Sequence, residues 1–110
     1  MKTIIAGGRK YNLTKDDIAF LDTLKISEVV SGCATGADTG GINYALNNNI
    51  KITRFPALWE KYGKSAGPIR NTIMAIYADA AVLFPGGNGT NDMYKKARME
   101  GLRIYDLRFR

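Results

Sequence analysis

Three short stretches of this chain combine glycine with residues able to hold an anion. The first is Val82-Leu83-Phe84-Pro85-Gly86-Gly87-Asn88-Gly89-Thr90-Asn91-Asp92. A short apolar run ends in a turn that has no side chain at Gly86, Gly87 or Gly89, and a helical segment follows. Backbone N–H groups in such a turn are open to close approach. The start of the next helix adds unpaired N–H groups and the positive end of a dipole, with the Thr90 hydroxyl beside them. The chemistry this suits is the cradling of a phosphate; a tight turn that binds nothing has the same composition. The second stretch, Gly7-Gly8-Arg9, places a guanidinium just past a strand, either to reach an anion on a neighbouring loop or as a solvated surface charge. The third, Ser31-Gly32-Cys33-Ala34-Thr35-Gly36-Ala37-Asp38, offers two hydroxyls and backbone amides to a phosphate or ribose. Asp38 can accept from a ribose hydroxyl or cap the helix that follows. Cys33 reads as a small, tolerant turn residue rather than a nucleophile, with no neighbouring His or clear cation to activate it.

The elements that carry these turns alternate in kind. Thr3 to Ala6, Glu28 to Val30, Ile50 to Phe55, Ala81 to Phe84 and Leu102 to Leu107 read as strands. Between them lie four helical patterns. Thr14 is an N-cap followed by Asp16 and Asp17, with Ile18, Leu21, Phe20 and Leu24 toward the core. Ile42, Ala45 and Leu46 form the stripe of the second helix, which ends at Asn47-Asn48-Asn49. Pro68 suits the first turn of the third, with Ile69, Ile73, Met74 and Ile76 as packing positions and Arg70 and Asn71 near its start, where an anion-binding pair is useful. The fourth runs from Asn91 to Met99, with Met93, Ala97 and Tyr94 inward and Gly101 closing it. Ala57 to Gly67 reads as an irregular segment holding the only tryptophan. Trp59 or Tyr62 can stack on a base, pack the loop down, or meet a second copy.

A βαβαβαβαβ order predicts an α/β fold, a single Rossmann-like domain over residues 1–110. Its five-stranded, mostly parallel sheet has order 3-2-1-4-5 and helices on both faces. That order sets Gly7-Gly8-Arg9 beside the Gly86 turn, at the carboxyl ends of the strands where such sheets bind ligands.

Composition narrows the function classes. The chain has 110 residues, 45% hydrophobic and 24% charged, as in one globular domain. There is one Cys and no His, so internal disulfides, His-based triads and a Cys/His zinc site are excluded. No metal site and no cofactor are expected. No Walker A spacing is present. Sixteen Lys and Arg against ten Asp and Glu give +6, which suits an anionic partner, a small nucleotide or a nucleic acid. Part of the excess sits at Arg103, Arg108 and Arg110. No apolar run approaches the roughly 20 residues of a membrane span, and the N-terminal run is too short for a secretory signal. A cytoplasmic location, without membrane contact, is the expectation.

Gly7-Gly8-Arg9, Ser31 to Asp38, Ala66-Gly67-Pro68-Ile69-Arg70-Asn71-Thr72-Ile73-Met74, Ala78-Asp79-Ala80 and Gly87-Asn88-Gly89-Thr90 together resemble the YspA/YpsA-related family. This is a small bacterial and phage family of the SLOG superfamily, which also includes the Lonely-guy phosphoribohydrolases and DprA. The resemblance spans nearly the whole chain. It implies a Rossmann-like fold, a pocket for nucleotides or nucleotide-derived ligands such as an ADP-ribose derivative, and a dimer. The ligand set it suggests is Gly7, Gly8, Arg9, Ser31, Gly32, Thr35, Gly36, Asp38, Trp59, Arg70, Asn71, Pro85, Gly86, Gly87, Gly89 and Thr90. Lonely-guy enzymes pair an Arg, matched by Arg70 with Met74, with a Glu three residues after the Thr of Pro-Gly-Gly-x-Gly-Thr. Here that position is Met93. The nearest carboxylate is Asp92, one helical step of about 100° away and expected to point elsewhere; Asp38 is the substitute. Arg70, Asp92 and Asp38 are therefore the candidate catalytic residues if the chain is an enzyme. A phosphoribohydrolase and a DprA-like nucleic-acid binder stand as alternatives to a nucleotide-binding sensor or sequestering protein.

Overall fold

A computed structural model describes residues 1–109; Arg110, counted above among the C-terminal charges, lies outside the described residues. The elements run β1 (Lys2–Ala6), α1 (Lys15–Asp22), β2 (Glu28–Ser31), α2 (Ala37–Asn47), β3 (Lys51–Arg54), α3 (Trp59–Tyr62), α4 (Ala66–Tyr77), β4 (Ala80–Leu83), α5 (Asn88–Met99) and β5 (Arg103–Asp106), with a 3-10 turn at Gly63–Ser65. The sheet order is β3-β2-β1-β4-β5 and every pairing is parallel. The expected Rossmann-like fold is therefore present, and its sheet is wholly parallel.

Side chains alternate across the central strands and divide the core in two. Ile4, Ala6, Val30, Ala81 and Leu83 face Met74, Ala75, Ala78, Met93 and Ala97, so α4 and α5 cover one face. Ile5, Val29, Val82 and Phe84 face Leu21, Ala37, Tyr44 and Ala45, so α1 and α2 cover the other. Parallel strands buried on both faces read as unbroken apolar runs, and β4 is buried throughout.

Helix α1 begins as its sequence predicts. The Thr14 hydroxyl accepts from the Asp17 amide at 3.1 Å, and the Asp17 carboxylate accepts from the Thr14 amide at 2.9 Å. This reciprocal cap satisfies two donors at the helix start.

Elsewhere the helical phase differs from expectation. In α2 the buried side is Ala37, Asp38, Gly41, Tyr44 and Ala45, and Leu46 is 61% exposed. A Cβ at Gly41 would lie 2.9 Å from the Ile5 side chain, so a bare backbone lets α2 sit directly on β1. In α4, Ile73 and Ile76 are exposed, while Ala66, Gly67, Asn71, Met74 and Ala75 are buried. The segment expected to be irregular instead forms α3 and the 3-10 turn, which lead straight into α4 at Ala66. Helix α5 begins at Asn88, three residues before its expected start.

Candidate functional site

The strand order reverses between β1 and β4, and the loops that leave the two strands part there to open a crevice at the carboxyl end of the sheet. A cleft of about 780 Å³ occupies it. The loops after β1 and β4 meet there, because the Gly8 amide donates to the Pro85 carbonyl at 2.8 Å. The turn after β2 closes onto the same place, with the Ala37 amide donating to the Gly8 carbonyl at 3.2 Å. Gly36 makes this approach possible: its φ of 74° is left-handed, and any Cβ there would collide with the Gly8 and Arg9 carbonyls.

Gly87 is the N-cap of α5 and supplies no side-chain bond to it. The first amide to return to the helix is that of Asn91, which donates to the Gly87 carbonyl at 3.0 Å. The amides of Asn88, Gly89 and Thr90 thus form the unpaired first turn of a 12-residue helix. Gly87, Asn88 and Gly89 are exposed, Thr90 is buried, and nothing lies within 4 Å of where a Cβ would stand on Gly87 or Gly89, so no side chain of those two residues screens the turn.

Arg70 and Asn71, in the second turn of α4, anchor the opposite wall. The Arg70 guanidinium donates to the Gly32 carbonyl and, at 3.4 Å, to the Phe55 carbonyl. Its Nε donates to Asn71 Oδ1 at 2.9 Å. That bond turns the Asn71 amide nitrogen toward α5, where it donates to the Gly89 carbonyl at 3.3 Å and to Asp92 Oδ2 at 3.0 Å. Lys96 pairs with the other Asp92 oxygen at 3.3 Å. Burial lowers the pKa of Arg70, opposed by the charge of Asp38, and an arginine stays protonated throughout.

Asp38 is 6% exposed. Burial pushes its pKa up to about 6, against the amides of Ala34 and Gly7 and the charges of Arg70 and Arg9. The Ala34 amide bond is 3.2 Å long. Asp38 therefore both steadies the start of α2 and faces the cleft.

Of the residues expected at a site, Gly7, Gly8, Arg9, Asp38, Trp59, Arg70, Asn71, Gly87, Gly89 and Thr90 line the cleft. Asp92 lines it too, contrary to the expectation that it points elsewhere; Met93 also borders the cleft but is 1% exposed and packs in the core. With α5 starting at Asn88, position 92 falls on the side that meets Asn71. Ser31, Gly32, Thr35, Gly36, Pro85 and Gly86 do not line the cleft. The Ser31 hydroxyl instead accepts from the Cys33 amide at 3.1 Å, bracing a turn in which Cys33 takes a φ of 66°. Gly32 and Gly36 shape the cleft from behind, one by accepting from Arg70 through its carbonyl and the other by leaving room for the Gly8 and Arg9 carbonyls. Trp59 stands half-exposed at the rim beside Gly67, whereas Tyr62 is off the wall.

Asn88, Asn91 and Lys95 also line the cleft and were missed from sequence. Their spacing of three and four is the signal, since it places them along one side of a helix. Among the described residues no cluster of three His, Cys, Asp or Glu can hold a metal ion. No described helix is long and apolar enough to cross a membrane.

No family model matches the chain, and no curated protein is significantly similar to it. Among solved structures it is similar to DNA processing protein A (DprA) from Streptococcus pneumoniae, with a TM-score of 0.70 and 19% sequence identity. The match covers 96% of this chain and 49% of the DprA chain, so the chain spans about half the length of that neighbour. At this identity the likeness is one of fold, and it agrees with the Rossmann-like architecture read from the sequence.

Proposed function

We propose that the cleft binds a nucleotide or a nucleotide-derived ligand, such as an ADP-ribose-type molecule, and that the protein acts as its sensor or sequesters it. The observation that carries this reading is the open first turn of α5, its three unpaired amides sharing one cleft with Arg9, Arg70 and Lys95. The amides and cations take phosphate, Asp38 accepts from ribose hydroxyls, and Trp59 stacks on the base. The test is mass spectrometry of small molecules released by denaturing the purified protein, followed by titration with AMP, ADP and ADP-ribose. Binding below millimolar concentration supports the reading; failure of all three probes to bind overturns it.

A second reading, cleavage of a nucleotide N-glycosidic bond, draws on Asp92 standing in the cleft next to Asn71 and Arg70. An oxocarbenium-like centre needs a placed carboxylate. Release of free base from the bound nucleotide favours this reading, and return of the intact molecule excludes it. A third reading, nucleic-acid binding, draws on the net charge of +6 and on the fold likeness to a DNA-processing protein. Its signature is a steep loss of affinity for single-stranded DNA with added salt.

The same proposal includes a homodimer. Ile69, Ile73 and Ile76 form a stripe along α4, whose one charge, Arg70, is turned to the cleft. An uncharged stripe can meet its own copy across a two-fold axis without like-charge repulsion. Ile76→Glu is expected to convert a dimer to a monomer in sedimentation velocity; an unchanged mass excludes this face.

A further inference from the structure

Where the chain leaves β5 it folds back over α5, and Arg108 fills the join. Its Nε and Nη2 take the two oxygens of Asp106 at 2.8 and 2.9 Å, and its Nη1 donates to Asn91 Oδ1 at 2.9 Å. The guanidinium also lies 4.2 Å from the centre of the Tyr94 ring. The Arg108 side chain is only 10% exposed. It is fixed on three sides, by a bidentate carboxylate, an aromatic face and an amide.

The bond to Asn91 has a chemical consequence. A guanidinium has donors only, so the Asn91 oxygen must face Arg108 and the amide nitrogen must face away. Asn91 lies on the cleft wall, one residue beyond the three unpaired amides. No described residue accepts a hydrogen bond from its Nδ2, so a second donor group on the cleft wall is left available beside the α5 first turn. The neighbouring Asp92 cannot do this, since a carboxylate only accepts, and its two oxygens already accept from Asn71 and Lys96.

We propose that Asn91 is an anion-contacting residue of the cleft and that Arg108 is its positioning residue, holding the carboxamide with its donors toward a phosphate of the ligand. This rests on the nucleotide-binding reading above. The test uses Asn91→Asp, Asn91→Ala, Arg108→Ala and the double variant, titrated by calorimetry with whichever of AMP, ADP and ADP-ribose binds the wild type most tightly. Asn91→Asp keeps an acceptor for Arg108 and so keeps the clamp, but presents the phosphate with a carboxylate. Its melting temperature stays at or above wild type while affinity falls more than about tenfold, and further than in Asn91→Ala. Arg108→Ala weakens binding several-fold in the wild-type background and not at all in the Asn91→Ala background. Wild-type affinity in Asn91→Asp, or an Arg108→Ala loss that is equal in both backgrounds, overturns the proposal while leaving nucleotide binding intact. Absence of binding by the wild type overturns the nucleotide reading itself, and the Asn91 contact with it.

Discussion

Strand β2 has a carboxylate near each of its ends, and the two are treated in opposite ways. Glu28 opens the strand and is 7% exposed; Asp38 follows the turn beyond it and is 6% exposed. Glu28 accepts from the Tyr77 hydroxyl, from the Thr53 hydroxyl at 2.7 Å, and pairs with Lys51 at 3.5 Å. Those bonds hold its pKa below the usual carboxylate range, the Tyr77 bond most strongly. Asp38 has two backbone amides and two nearby arginines, yet burial prevails and pushes its pKa up. The amino end of the sheet is a finished polar network whose donors come from β3 and α4. The carboxyl end has a carboxylate, a row of amides and several cations, and among the described residues their bonding capacity is not filled. A completed polar network of this kind helps fix a fold, whereas polar groups left with spare bonding capacity in a cleft are what the proposed ligand would satisfy.

The sharpest way to break this contrast is at Arg70. Arg70→Ala removes a cation from the cleft wall and frees the Asn71 amide to turn. Affinity for the proposed nucleotide ligand is expected to fall about 100-fold, near 2.7 kcal/mol. The same variant also unpairs the Gly32 and Phe55 carbonyls, so a melting curve must accompany the calorimetry. A folded Arg70→Ala protein that binds as wild type would place the anion elsewhere.

Glu28 should give the opposite result. Glu28→Ala strands two hydroxyls and is expected to cost about 1–3 kcal/mol in urea unfolding at pH 7 while leaving ligand affinity unchanged. Because its folded pKa is depressed, the stability Glu28 contributes is present above the ordinary carboxylate range and is lost as pH falls through the folded value. Wild type and variant should therefore converge in acid. A change in nucleotide affinity at pH 7 would show that the two ends of β2 are coupled.

The contrast is only half legible in the sequence. Strand order and the meeting of three turns follow from alternation and from glycine after strands one, two and four. Parallel connections of one hand leave few topologies. Glu28 reads simply as the start of a strand, because its partners Thr53 and Tyr77 lie 25 and 49 residues away. Helical phase is the other gap. Ile69, Ile73 and Ile76 have the spacing of a core stripe, but close packing on the sheet selects Ala66, Gly67, Met74 and Ala75, and hydrophobicity alone favours the larger residues. Asn91 and Lys95 become visible once α5 begins at Asn88, because three residues of added helix bring Asn88, Asn91 and Lys95 into one row. Ser31 and Thr35 have the right chemistry, but the turn at Cys33 leaves neither on the cleft wall.

The smallest expected effect is at Asp38, and it tests whether that carboxylate is kept for the ligand. Its folded pKa of about 6 lies above the ordinary 3.8, so between those values the folded protein holds a proton that the unfolded chain has lost. The stability from that proton is fully present below the unfolded pKa and is lost as pH rises through about 6. A carboxamide cannot titrate, so Asp38→Asn should be more stable than wild type at pH 7.5 by about 1 kcal/mol, a few degrees in melting temperature. The gain stays well below the full linkage value because the Ala34 and Gly7 amides bond a carboxylate better than an amide oxygen. Below pH 4 the gain should vanish. Ligand binding should move the other way. If ribose hydroxyls donate to the Asp38 carboxylate, wild-type affinity drops as pH falls through about 6, whereas the variant binds more weakly and shows no such step. A stabilised variant with undiminished affinity would make Asp38 only the brace of the α2 start, and the asymmetry between the two ends of β2 would then rest on Arg70 and the α5 amides alone.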